Sequence, residues 1–123
     1  METTKIINYL FESPLINIAL FGGLLFTLAG FIMYKYPPKN INSLYGYRTP
    51  SSMENLEKWN FAQNYASKEM IKAGILLSIS CLLSLVLHFD NLTNMFIGLG
   101  LMVSMLIILF YRVEKAIKEQ FKK

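Results

Sequence analysis

At 123 residues, 54% of them hydrophobic, the chain has room for one domain, 1–123, and is more apolar than a soluble protein of that size. One cysteine and one histidine exclude an intramolecular disulfide and a histidine–cysteine metal site, and no cofactor is expected. The net charge of +4 reads as membrane topology, not as nucleic-acid binding.

The apolar residues come in blocks. Residues 15–34, 73–89 and 91–111 each lack Asp, Glu, Lys and Arg, and a spanning helix needs ~20 mostly apolar residues. Three spans are predicted, at about 15–34, 71–89 and 92–111. Ahead of the first, Ile6, Ile7, Leu10 and Phe11 repeat at helical spacing beside Lys5, Asn8 and Glu12, which predicts a short helix lying in the outer interface. Ser13 offers a helix-capping oxygen, and Pro14 suits the first helical position because its missing N–H would have had no partner there. The first block is longer than the ~7 to 15 apolar residues of a signal peptide and no A-x-A-like site follows, so it is expected to stay in the mature chain. Within it Ala19, Gly23 and Thr27 recur every four residues, with Gly30 beyond, forming a strip that lets helix backbones approach closely in lipid.

Residues 35–70 form the longest polar segment. Its opening, "KYPPKNINSLYGY", reads as extended chain and turns. A helix then starts at Thr49 with Pro50 in its first turn, or at Ser51 with Glu54 three residues later. Leu56, Trp59, Ala62 or Gln63, Ala66 and Met70 line one face, predicting an amphipathic helix at the inner interface with Trp59 at headgroup depth. It either runs straight into the second span or bends near residues 67–74. In that span Gly74, Ser78, Cys81 and His88 share a face with Ser84 at its edge, and this side should turn inward. Asp90 and Asn91 leave room only for a tight helical hairpin into the third span, which carries Gly100 and Ser104. The small-residue strips predict a compact bundle or a homo-oligomer without deciding between them. The expected fold is therefore an all-α integral membrane protein, with three transmembrane helices and an amphipathic interfacial helix between the first and second.

Of the twelve Lys and Arg residues, six lie in 35–72, five in 112–123 and one ahead of the first span. The positive-inside rule then places the N-terminus outside and both basic segments in the cytoplasm, where they can hold anionic lipid headgroups.

The loop holds the candidate site. Gly46 supplies a backbone conformation closed to other residues. Arg48, beside Tyr47 and Thr49, has five donors and a permanent charge; it can clasp loop carbonyls, bind a phosphate headgroup or ligand, or serve catalysis. Asn40, Asn42 and Asn64 can cap or cross-link the loop, and Trp59 is an anchor or a ligand platform.

The run "NSLYGYRTPSSMENLEKWNFAQNYASK", residues 42–68, resembles the signature of the SdpI family of bacterial membrane proteins, named for the immunity protein against the sporulation-delay toxin. Its members here are Asn42, Gly46, Arg48, Thr49, Pro50, Ser52, Asn55, Trp59, Ala62 and Gln63, the last an amide where many relatives have Asn. The resemblance implies a multi-pass protein of the bacterial cell membrane that gives immunity to a secreted peptide toxin. In the founding system a cytoplasmic transcriptional repressor is also held at the membrane. A small membrane enzyme or a transporter acting on lipid or peptide is the alternative. An enzyme would draw on His88 and Asp90, which the spans put ~30 Å from Arg48, and the predicted spans carry no charge of the kind that marks ion pathways. No catalytic residue is therefore assigned.

Overall fold

The computed structural model describes residues 2–87 and 89–122, so His88 lies outside the described residues. The described chain is all-helical, in the order α1 (Thr3–Glu12), α2 (Pro14–Lys35), α3 (Leu56–Ile79), a short 3-10 segment (Ser80–Leu85) and α4 (Asn91–Gln120).

Ser13 separates the first two helices as expected. Its N–H donates to the Tyr9 carbonyl at 3.0 Å, closing α1, and its Oγ accepts from the Ile16 N–H at 3.5 Å, opening α2 with Pro14 in the first turn. No residue of α1 is buried, in keeping with a helix that lies on a surface. Within α2, residues Asn17–Phe21 widen into a π-helical turn, beside which the Asn17 side chain donates back to the Phe11 carbonyl at 2.9 Å.

The strip of small residues in α2 packs on α3. A Cβ added to Gly23 would lie 2.6 Å from the Gly74 carbonyl, one added to Gly74 would lie 2.6 Å from the Gly23 carbonyl, and one at Gly30 would lie 2.9 Å from the Ser67 carbonyl. The helices are therefore antiparallel and in backbone contact over about two turns. Thr27 and Ser78, which flank the crossing, return their hydroxyls to the Gly23 and Gly74 carbonyls at 2.8 Å, so neither leaves a donor unsatisfied. A Cβ added to Gly98 of α4 would lie 3.2 Å from Ile18, whereas one added to Gly100 would meet nothing within 4 Å, and Ser104 is exposed.

Two helices are long and apolar enough to cross a bilayer, α2 and α4. Only 28% and 17% of their most apolar stretches are buried, so their side chains mostly face outward, unlike the core helix of a soluble protein. This differs from the three expected spans. The amphipathic segment runs without a break into the start of the second apolar block, to Ile79, and the charges it carries along the way, Glu57, Lys58, Lys68, Glu69 and Lys72, keep α3 from qualifying.

Rather than ending at residue 111, α4 continues to Gln120. Its 30 residues make it about 45 Å long, half as long again as the ~30 Å hydrocarbon core. The core cluster gathers at that projecting end: Tyr47 of the loop, Met33 of α2, Ala62 and Ala66 of α3, and Leu109, Val113 and Ile117 of α4. At the other end, the Tyr9 hydroxyl donates to the Ser84 carbonyl at 3.1 Å, and Asp90 caps α4 by accepting from the Thr93 N–H at 3.3 Å. Hydrogen bonding from the Thr93 side chain first, and from its N–H second, holds the Asp90 carboxyl below its usual range.

Candidate functional site

Residues 36–55 fold into a loop whose order comes from side chain to backbone hydrogen bonds. The Asn42 carboxamide organises the first turn: its Oδ1 accepts from the Leu44 and Tyr45 N–H groups at 2.9 and 2.7 Å, and its Nδ2 donates to the Asn40 carbonyl at 2.9 Å. Gly46 then takes a φ of 110°, the only positive value among the described residues. A Cβ there would also lie 2.6 Å from the Gln63 Oε1, so both conformation and space call for glycine.

This turn sends Tyr47 inward against α3. The Gln63 side chain, 1% exposed, meets both backbone groups of Tyr47, with Oε1 accepting from its N–H at 2.6 Å and Nε2 donating to its carbonyl at 2.7 Å. A single amide thus supplies the pairing that a neighbouring strand would otherwise supply. The Tyr47 ring lies 5.5 Å from that of Phe110, and its hydroxyl donates to Glu114 Oε1 at 2.7 Å. Burial first, then the hydrogen bond to and charge of Glu114, push the hydroxyl's pKa well above its usual value, so it remains a donor. The other Glu114 oxygen accepts from Ser51.

Thr49 caps a single turn, not a helix. Its Oγ1 accepts from the Ser52 N–H at 3.2 Å and its carbonyl from the Met53 N–H at 3.0 Å, with Pro50 exposed on the outside. The expected helix start at residues 49–51 is therefore displaced. Asn55 is extended, at φ −155° and ψ 171°, and its side chain accepts from the Lys58 N–H at 2.8 Å, so α3 begins at Leu56. The buried Ser52 hydroxyl accepts from the Thr49 N–H at 2.9 Å, with the Tyr47 and Thr49 carbonyls each 3.1 Å away for its proton.

Trp59 also departs from expectation. It is fully buried, and its indole N–H donates to the Pro38 carbonyl at 2.8 Å. It pins the loop to α3 from within, and protein encloses it where headgroup contact was expected. Arg48 donates to the Ser43 carbonyl as a clasp, and its guanidinium is otherwise exposed, with no carboxylate pairing among the described residues. Asn64 is exposed and stands apart from the network, lining a cavity of about 340 Å³ with Pro37, Pro38 and Gln63.

Three charged residues of this region escaped the sequence reading. Glu114 ties the loop to α4, and the half-exposed Arg112 forks onto the buried Glu69, at 2.7 Å through Nε and 3.3 Å through Nη2. A signal for them was available. Leu109, Val113 and Ile117 are four apart, which extends the buried face of α4 past residue 111, and Glu69 lies three residues beyond Ala66 on the buried face of α3.

Together these features define a small all-helical protein with two bilayer-length apolar helices and a loop clamped onto their shared basic end. The model of the SdpI/YfhL protein family matches residues 39–112, which contain Asn42, Gly46, Tyr47, Trp59, Gln63 and the Glu69–Arg112 pair but neither Pro38 nor Glu114, and the chain belongs to that family. It is similar to the uncharacterized protein YfhL of Bacillus subtilis (strain 168), with 38% identity over 101 residues, covering 80% of this chain and 84% of that protein. No solved structure matches the chain. The two apolar helices and the family point to a membrane protein.

Proposed function

We propose that the chain is a non-enzymatic immunity and signalling protein of the bacterial cell membrane that confers resistance to a secreted antimicrobial peptide. Its membership of the SdpI/YfhL family carries this reading. In it, the apolar helices meet the peptide in the bilayer, and the loop, tied to the end of α4 through Glu114, passes that event to a repressor on the cytoplasmic side.

The reading includes a third crossing, made by α3 and the 3-10 segment together. Three features support it: the antiparallel contact of α3 with α2 from Gly30 to Gly23, the tie from Ser84 back to Tyr9, and the outward-facing Ile75, Leu76, Ile79, Leu82 and Leu85. With three crossings, the N-terminus lies outside and both basic segments lie in the cytoplasm. That the loop and the C-terminal half of α4 share one end of the molecule agrees with this.

Expressed in a bacterium sensitive to the sporulation-delay toxin, the protein should restore growth in the presence of that peptide. Unchanged killing by it and by a panel of related secreted peptides, with the protein verified in the membrane fraction, overturns the proposal.

A further inference from the structure

A cavity of about 380 Å³ opens between α2 and α4 beneath the loop, within the ~300–1,000 Å³ range of small-ligand sites. It exists because α4 packs on α3 and on the first turns of α2, while the later half of α2 packs on α3 through its glycines, so the two apolar helices part toward the loop end. Phe26 and Ala29 form one wall, Leu106 and Phe110 the other, and Met70 the floor. The mouth is formed by the loop, where Arg48 stands exposed with one N–H committed to the Ser43 carbonyl and no carboxylate partner among the described residues.

An apolar slot between two bilayer-length helices, closed at its basic end by a forked, permanently charged donor, matches one ligand chemistry. We propose that this cleft binds a single anionic phospholipid, with an acyl chain between α2 and α4 and its phosphate on Arg48. Arg48 presents several N–H donors in a plane, the geometry that suits a phosphate. The slot is apolar on both sides, and a chain in it restores contacts that the diverging helices lack. The proposal is independent of toxin immunity and requires only that the helices lie in a bilayer.

Native mass spectrometry of the full-length protein in detergent tests it, with phosphatidylglycerol, phosphatidylcholine and inorganic phosphate added separately. The expected result is one retained phosphatidylglycerol, bound about tenfold more tightly than phosphatidylcholine, a ratio typical of a charge-assisted hydrogen bond. Arg48→Gln should remove that preference, and Ala29→Phe, which fills the slot from its wall, should lower retention of both lipids. Lys118→Gln, which removes a charge elsewhere at the same end, should change neither. Thermal unfolding of each variant confirms folding. A variant that does not fold is replaced by Arg48→Lys or Ala29→Leu, with a smaller effect of the same sign.

Four results would overturn the proposal. These are equal loss in Lys118→Gln and Arg48→Gln, displacement of the lipid by millimolar inorganic phosphate, lipid-free dimers that cover the cleft, and preferential retention of a synthetic leucine-rich helix.

Discussion

Gln63 bears the most on the loop, because one side chain satisfies both backbone polar groups of a buried residue. Gln63→Leu would keep most of the volume yet strand the Tyr47 N–H, leaving its carbonyl only the Ser52 hydroxyl. It should lower stability by about 1–3 kcal/mol, the cost of one buried group left unpaired. Gly46→Ala should cost about 1–3 kcal/mol, through its positive φ and the contact with Gln63. Chemical or thermal unfolding in detergent measures both, and wild-type stability in either variant would show that the pairing does not hold the loop. At this scale the sequence was legible where an effect is local. Gly46, Asn42 and the Arg48 clasp follow from the chemistry of a turn. The burial of Trp59 does not, because an indole on a helix face reads the same whether its neighbours are lipid or a loop that folds back over it. What covers it is residue 38, 21 positions upstream.

At the scale of elements, the glycine contact between α2 and α3 does for these helices what large side chains do in a water-soluble core. Gly74→Leu must push the backbones apart, so it should prevent a monodisperse fold, whereas Gly100→Leu, with open space around it, should be tolerated. Size-exclusion profiles of the two variants separate these outcomes; equal behaviour would remove the crossing from the account. The strip at Ala19, Gly23 and Thr27, with Gly30 one turn on, was readable by its helical spacing of four and three. The start of α3 was not, because Thr49, Ser51 and Asn55 are all competent caps, and only the loop's ties to Glu114 and Gln63 decide which one opens the helix. The far end of α4 was hidden for a related reason. A hydropathy block ends where charge begins, but the helix goes on because Val113 and Ile117 have a surface to pack on.

For the whole molecule, charge and core coincide. The basic loop, the first half of α3 and the last turns of α4 form one head, while the apolar helices run away from it. In a Cys81→Ser background, cysteines introduced at positions 39 and 118 should be labelled from the same side of the membrane, the cytoplasm, and one at position 5 from the opposite side. Labelling of 39 and 118 from opposite sides would contradict the shared head, and labelling of both from outside would reverse the proposed orientation. An all-helical, lipid-facing chain was evident from its blocks of uncharged residues. The run of the amphipathic segment into the second block was one of two readings, because no glycine or proline breaks the chain before residue 74, and the unbroken α3 to Ile79 decides for it over a bend at residues 67–74.

The grip of Glu114 on Tyr47 and Ser51 has a consequence for how the chain can be shortened. A stop codon after Tyr111 would leave every hydrophobic block untouched, yet it would take away Val113, Glu114 and Ile117, the surface on which Tyr47 rests. The tail after the last apolar stretch is thus the keel of the connector far upstream, and trimming it as a disposable basic extension would unmoor the family's signature turn.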